Sequence, residues 1–166
     1  AGEPDFDTPH NIRKAASDAM DAGKTRYVPG KGTPELQKAI QSKFLKDNNL
    51  NYDLDEIIVG VGGKHIIYNA MMATINPNDE VIIPAPFWVS YPDIVLLAEG
   101  KPVIVQCPEN QNFKLTADKL EKSITDKTKW LMLNSPSNPT GSLYSKQELK
   151  ELAEVLLKYP QVLIMS

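Results

Sequence analysis

The sequence predicts an α/β fold built on a mostly parallel, doubly wound sheet. Two observations carry this. Short apolar runs of strand length take turns along the chain with segments of helical period, and those runs are apolar throughout rather than alternating with polar residues. A strand covered by helices on both faces has no solvent side and needs no polar alternation. Strand–helix–strand order is the pattern of parallel sheets joined by crossover helices.

The elements follow in order. Thr8-Pro9 opens a first helix, with a hydroxyl to cap it and proline at the first helical position, and Gly23 closes it. Thr33-Pro34-Glu35 repeats that opening before Leu36, Ala39, Ile40 and Phe44, which lie at helical spacing. Ile57-Ile58-Val59 reads as a short strand ending in Gly60-Val61-Gly62-Gly63. A helix over 64–75 follows and is stopped by Asn76-Pro77-Asn78. Beyond it the chain predicts a strand at 81–83, a helix at 92–98 and a strand at 103–105. Thr116 then caps a helix bearing Leu120 and Ile124, and residues 130–133 form the next strand. Ser145 and Glu148 make a capping box for a helix ending near Tyr159, and 162–165 is a last apolar run. The chain ends at Ser166, directly after that run, where an α/β site would place functional residues; the expectation is an incomplete domain.

Composition narrows the function classes. The chain has 166 residues, 42% hydrophobic and 23% charged, ordinary for a globular domain. A formal net charge of -3 argues against a non-specific nucleic-acid binder. No apolar run approaches the roughly eighteen residues of a membrane span, so no membrane partner is expected. Cys107 is the single cysteine, which excludes an intramolecular disulfide and suits a reducing cytoplasm. With only His10 and His65 beside it, no metal site is expected.

Three loops at predicted strand ends combine small residues, prolines and isolated polar or aromatic groups. Gly60-Val61-Gly62-Gly63-Lys64 joins a strand to a helix; glycines there let backbone approach an anion, and the helix N-terminus supplies free N–H groups. Taken alone it is as readily a tight turn, and it matches neither phosphate-loop fingerprint. Pro84-Ala85-Pro86-Phe87-Trp88-Val89-Ser90-Tyr91-Pro92 is a rigid connection in which Trp88 either stacks on a flat ligand or seals the core. Asn134-Ser135-Pro136-Ser137-Asn138-Pro139-Thr140-Gly141 follows a strand directly, and is either a shaped site loop or a plain turn.

In order and spacing these residues resemble the fold-type I pyridoxal-phosphate aminotransferases. The resemblance begins at Ala1-Gly2-Glu3-Pro4-Asp5-Phe6-Asp7-Thr8-Pro9. It continues through Tyr27, Gly32-Thr33-Pro34-Glu35-Leu36, Gly62-Gly63-Lys64 and Trp88 to Asn138-Pro139-Thr140-Gly141. Pro86-Phe87-Trp88-Val89-Ser90-Tyr91-Pro92 is especially similar to the bacterial aspartate aminotransferase branch, some of whose members accept prephenate.

The resemblance implies pyridoxal 5′-phosphate as cofactor and an incomplete large, cofactor-binding domain over 33–166. Residues 1–32 would be an N-terminal segment with substrate- and dimer-contacting loops. Backbone N–H groups at Gly62, Gly63 and Lys64 would hold the cofactor phosphate, and Trp88 would stack on its ring. Asn138 would bond the ring's phenolic oxygen and help hold the substrate carboxylate, which Trp88 also borders. Gly2 would present backbone to the substrate. Tyr27 would reach the phosphate in the neighbouring subunit of a homodimer. The resemblance further implies cis bonds at Ala85–Pro86 and Asn138–Pro139.

The implied activity moves an amino group between L-aspartate, with prephenate/arogenate as a second pair, and 2-oxoglutarate. The family's Schiff-base lysine has no match here: Lys64 is in the phosphate loop, and Lys43 and Lys146 lie in helical contexts. The aspartate that pairs with the ring nitrogen and the arginine that clamps the substrate are also unmatched, so the chain alone is expected to be inactive. Two other readings remain. One is an aminotransferase-like sensor domain of a transcription regulator. The other is an unrelated nucleotide-binding domain, which lacks a phosphate fingerprint with a ribose-binding acid.

Overall fold

The computed structural model describes residues 4–166. They fall into two compact units, one up to Gly60 and the other Val61–Ser166.

The first unit holds two helices, α1 (His10–Asp21) and α2 (Pro34–Asn48), and a single 3-10 turn, Leu54–Glu56. Thr33 caps α2 as its sequence predicts: the hydroxyl accepts from the Leu36 N–H at 3.3 Å, and Pro34 stands where no N–H is needed. The opening of α1 differs. Its N-cap is Pro9, with no side-chain cap, so the Thr8 hydroxyl does not serve it.

The predicted strand at 57–59 is not a strand. Its residues find no ladder partner among the described residues, and the bonds that Ile57 and Val59 make run elsewhere. The buried Gln37 amide donates to the carbonyls of Ile57 at 2.7 Å and Leu54 at 3.1 Å, and the Val59 N–H donates to the Lys31 carbonyl at 3.1 Å. An apolar run of strand length becomes a strand only where another backbone edge meets it.

The second unit is the predicted doubly wound sheet. It runs α3 (Gly63–Thr74), β1 (Glu80–Ala85), α4 (Ser90–Leu97), β2 (Lys101–Gln106), a 3-10 turn (Glu109–Gln111), α5 (Ala117–Ser123), β3 (Thr128–Met132), α6 (Lys146–Leu156) and β4 (Leu163–Met165). All pairings are parallel, in the order β2-β1-β3-β4, with Ile82 opposite both Val103 and Leu131.

Period-2 geometry divides the apolar strand residues between two cores. Val81, Ile83 and Met132 face Met71 of α3 and Ile94 and Val95 of α4. Ile82, Val105 and Leu131 face Leu120 of α5 and Leu152, Val155 and Leu156 of α6. Each such side chain, fully buried, contributes about 1.5–3 kcal/mol.

Two boundaries differ from expectation. Helix α4 begins at Ser90, so Pro92 sits in its first turn, where a missing N–H is harmless. Helix α6 stops at Leu156 because Lys158 and Tyr159 donate to carbonyls three residues back, a tightened last turn. The Ser145–Glu148 capping box and the Thr116 cap are both present.

The amino-terminal edge of the sheet carries a buried carboxylate. Glu80 accepts from the Thr125 hydroxyl at 2.6 Å and from the Lys101 ammonium at 2.9 Å, and these bonds hold it below the usual carboxylate range.

Candidate functional site

The strand order places the site. β1 connects to β2 on one side, whereas β3 connects to β4 on the other, so the loops leaving β1 and β3 diverge. A crevice opens outside the carboxyl ends of these two neighbours. The loop after β1 carries Trp88, and the loop after β3 carries Asn138.

A third wall is the start of α3. Gly62 is its N-cap at φ +83°, a left-handed conformation that a side chain would strain. The N–H groups of Gly63, Lys64 and His65 have no carbonyl four residues back inside the helix, so they are open donors at its positive end. A Cβ built at Gly62 or Gly63 would meet nothing within 4 Å. His65 orders the turn from within, since the Val61 N–H donates to its Nδ1 at 3.1 Å. The Asn69 side-chain amide nitrogen lies 3.0 Å from the other ring nitrogen, Nε2.

The three walls meet. A cleft of about 290 Å³ is lined by Gly63, Ile66 and Ile67 of α3, by Tyr91, by Met132, Leu133 and Asn134, and by Met165 and Ser166. A narrower one of about 20 Å³ shares Tyr91, Met132, Leu133 and Asn134 and adds Phe87, Phe113, Asn138 and Tyr144. Trp88 is half-buried, packs edge-on against Tyr91 at 5.5 Å between ring centres, and has the Lys64 ammonium 5.0 Å from its ring centre. Phe87 and Tyr91, not Trp88, pack against the core beside α3 and α4. Burial raises the Tyr91 phenol above its ordinary value and keeps it neutral.

Asn138 is exposed, with its N–H donated to the Asn134 side-chain oxygen at 2.9 Å. The bonds Ala85–Pro86 and Asn138–Pro139 are cis, in agreement with the resemblance, and Ser135–Pro136 is cis as well. Gly63 thus lines the larger cleft and Asn138 the narrower one, which share Tyr91 and Asn134, while Gly62, Lys64 and Trp88 flank them without lining either. Tyr27 is fully exposed in the first unit, beside Thr25 and Arg26. Gly2 lies outside the described residues.

Sequence reasoning gave no role to Tyr91, Asn134, Phe113 or Tyr144, which line the crevice. Tyr91 and Asn134 lie within the quoted loops, but nothing in their spacing marks them. Among the described residues no group of three or more His, Cys, Asp or Glu is placed to hold a metal, and no helix is long and apolar enough to cross a membrane.

The sequence model of the family described as "Aminotransferase class I and II" matches residues 1–166. The chain belongs to this family. It is 61% identical, over all 166 of its residues, to a probable aspartate/prephenate aminotransferase of Rickettsia bellii, of which it covers 42%. It is 58% identical to the aspartate/prephenate aminotransferase of Cereibacter sphaeroides, again covering 42%. The chain therefore spans about two fifths of the length of these relatives. The crystal structure of the aspartate aminotransferase from Rhizobium meliloti superposes with a TM-score of 0.97 at 55% identity, over 99% of this chain and 41% of that one.

Membership implies pyridoxal phosphate as cofactor, and the groups at the crevice fit it. Open amides at a helix N-terminus suit its phosphate, a half-buried indole suits its flat ring, and an exposed amide suits its ring oxygen.

Proposed function

We propose that the chain is the cofactor-binding part of a pyridoxal-phosphate aminotransferase that moves an amino group between L-aspartate and 2-oxoglutarate, with prephenate/arogenate as a second pair. The observation carrying this is the meeting of the α3 N-terminus, the Trp88 loop and the Asn138 loop outside the ends of adjacent strands β1 and β3. The choice of aspartate rests on the names of the relatives.

Bound there, pyridoxal phosphate supplies an electron sink for amino-group transfer. The chain's own residues bind and orient it. The amides of Gly62, Gly63 and Lys64 hold the phosphate, aided by the α3 dipole. Trp88 stacks on the ring and, with Tyr91 behind it, keeps water from one side. Asn138 donates to the ring oxygen and to the substrate carboxylate, and Gly2 presents backbone to the substrate. Tyr27 donates to the phosphate held by the neighbouring subunit of a homodimer. In this reading residues 1–32 supply substrate and dimer contacts and 33–166 the cofactor domain, and the protein works in the cytoplasm. The 166 residues alone do not turn over, because no lysine among them is placed to hold the cofactor covalently.

The test is oxaloacetate formation by the intact, cofactor-loaded protein from L-aspartate and 2-oxoglutarate, with arogenate as second donor. Turnover that falls by at least about tenfold in Trp88→Ala, with the fold retained, is expected. No turnover with either donor overturns the activity, and a Trp88→Ala protein that unfolds but keeps normal turnover in its folded fraction overturns the stacking role.

A further inference from the structure

The loop carrying Asn138 is held by a neighbour that no part of the proposed chemistry uses. Within the loop, the Ser137 N–H donates to the Ser142 carbonyl at 2.9 Å, the Gly141 N–H to the Ser137 carbonyl at 2.7 Å, and the Tyr144 N–H to the Ser135 hydroxyl at 3.2 Å. These bonds close the loop but do not fix it to the sheet.

Two further bonds tie it to the segment between β2 and α5. The buried Tyr144 phenol oxygen accepts the Leu115 N–H at 2.7 Å, and the Ser142 hydroxyl donates to the Asn112 carbonyl at 2.8 Å. That segment holds an unusual conformation. Asn112 and Phe113 are adjacent non-glycine residues with φ of 53° and 57°, in the left-handed region that a bulky aromatic rarely enters. The turn brings the Asn112 carbonyl to Ser142, and Phe113 lines the same crevice as Asn138. Strained backbone of this kind persists where surrounding structure over-determines it, and it clusters at ligand sites. Burial raises the Tyr144 phenol, so it stays neutral across working pH.

We propose that Tyr144, Ser142 and the Asn112–Phe113 turn form a brace that fixes Asn138 in the crevice, making Tyr144 and Ser142 positioning residues for the cofactor's ring oxygen. The inference rests on the role given to Asn138 above and names the groups through which that role is set.

The test uses the intact holoenzyme with Tyr144→Phe, Ser142→Ala, Asn138→Ala and the Tyr144→Phe/Asn138→Ala double variant. An amide donating to the ring oxygen favours its deprotonated form, so losing the amide raises the pH midpoint of the bound cofactor's absorbance change. Asn138→Ala should raise that midpoint. Tyr144→Phe and Ser142→Ala should each raise it less and loosen cofactor affinity by about two- to tenfold, the effect of one neutral hydrogen bond. In the double variant Tyr144→Phe should add nothing, because its effect passes through Asn138.

A second readout needs no cofactor. Hydrogen exchange at the Ser137 and Gly141 amides of the cofactor-free protein should quicken in both brace variants. The melting temperature should hardly move in Ser142→Ala and should fall in Tyr144→Phe, which leaves the buried Leu115 N–H without its acceptor. A raised midpoint in Asn138→Ala with unchanged midpoint and exchange in both brace variants overturns the brace alone. A full additional shift in the double variant also overturns it. An unshifted Asn138→Ala overturns the role of Asn138, and the brace with it. Should Tyr144→Phe fail to fold, Ser142→Ala decides by the same criteria.

Discussion

The two units bury very different parts of themselves. In the second, buried side chains from β1, β2 and β3 and from four helices form two cores on opposite faces of one sheet. In the first, only Gln37 and Ile57 among the described residues are buried, and α1 buries nothing: Ile12 and Met20 stay exposed although its apolar residues share a face. The second unit is specified by packing. The first is held by discrete local devices, among them the Thr33 cap, the Gln37 amide and the Val59–Lys31 bond. Helical pattern alone thus predicts that a helix forms and says nothing about what it packs on.

The sharpest way to break this contrast is truncation. Leu131 is wholly buried at the centre of the sheet, and Leu131→Ala should cost about 2–5 kcal/mol through lost transfer energy and the cavity left behind. Ile12→Ala on α1 should fall within about 0.5 kcal/mol of the parent. Urea melts of both variants decide it. Equal losses would mean that α1 is packed in solution and that the contrast is wrong.

How much was legible follows the same division. Strands were legible at 81–83, 103–105, 130–133 and 162–165, inside or overlapping the observed 80–85, 101–106, 128–132 and 163–165. So were the caps at Thr33, Thr116 and Ser145, though not the cap read at Thr8, because apolar runs and capping hydroxyls act over a few residues. Ile57-Ile58-Val59 carried the same signal and failed, since strand pairing is a fact about a second segment. At the crevice, glycines and prolines marked the loops of Gly62, Trp88 and Asn138. Tyr91 and Tyr144 were silent because only the sheet order brings them to the site. The left-handed turn at Asn112–Phe113 has no glycine to announce it.

A smaller effect sharpens the account of the first unit. Gly32 has φ +103°, and a Cβ there would come 2.9 Å from Cγ2 of Val59, a stiff β-branched side chain. Gly32→Ala combines that clash with left-handed strain, of order 1–3 kcal/mol. It should open the Val59 N–H bond to Lys31, seen as faster exchange at the Val59 amide, while the urea midpoint of the sheet stays where it was. A sheet midpoint that falls with it would show that the two units unfold together.

The smallest effect is titratable and belongs to the second unit. Glu148 is held at about 2, below its ordinary 4.5, first by the Lys114 ammonium and then by the Ser145 N–H and hydroxyl. Its folded-state value is depressed, so the stability it contributes is complete above about 4.5 and is lost as pH falls toward 2. The carboxylate is 35% exposed, and water discounts the contribution to about 1 kcal/mol or less. Urea melts at pH 6 and pH 3 should therefore show a smaller acid-induced loss in Glu148→Gln than in the parent, with the variant already weaker at pH 6. Glu80 is also held below its ordinary value, through Thr125 and Lys101, so part of the acid sensitivity should survive in Glu148→Gln and fall again in the Glu80→Gln/Glu148→Gln pair. A parent and a Glu148→Gln variant that lose the same stability between these two pH values would remove the capping-box carboxylate from the account of what holds α6 on the sheet.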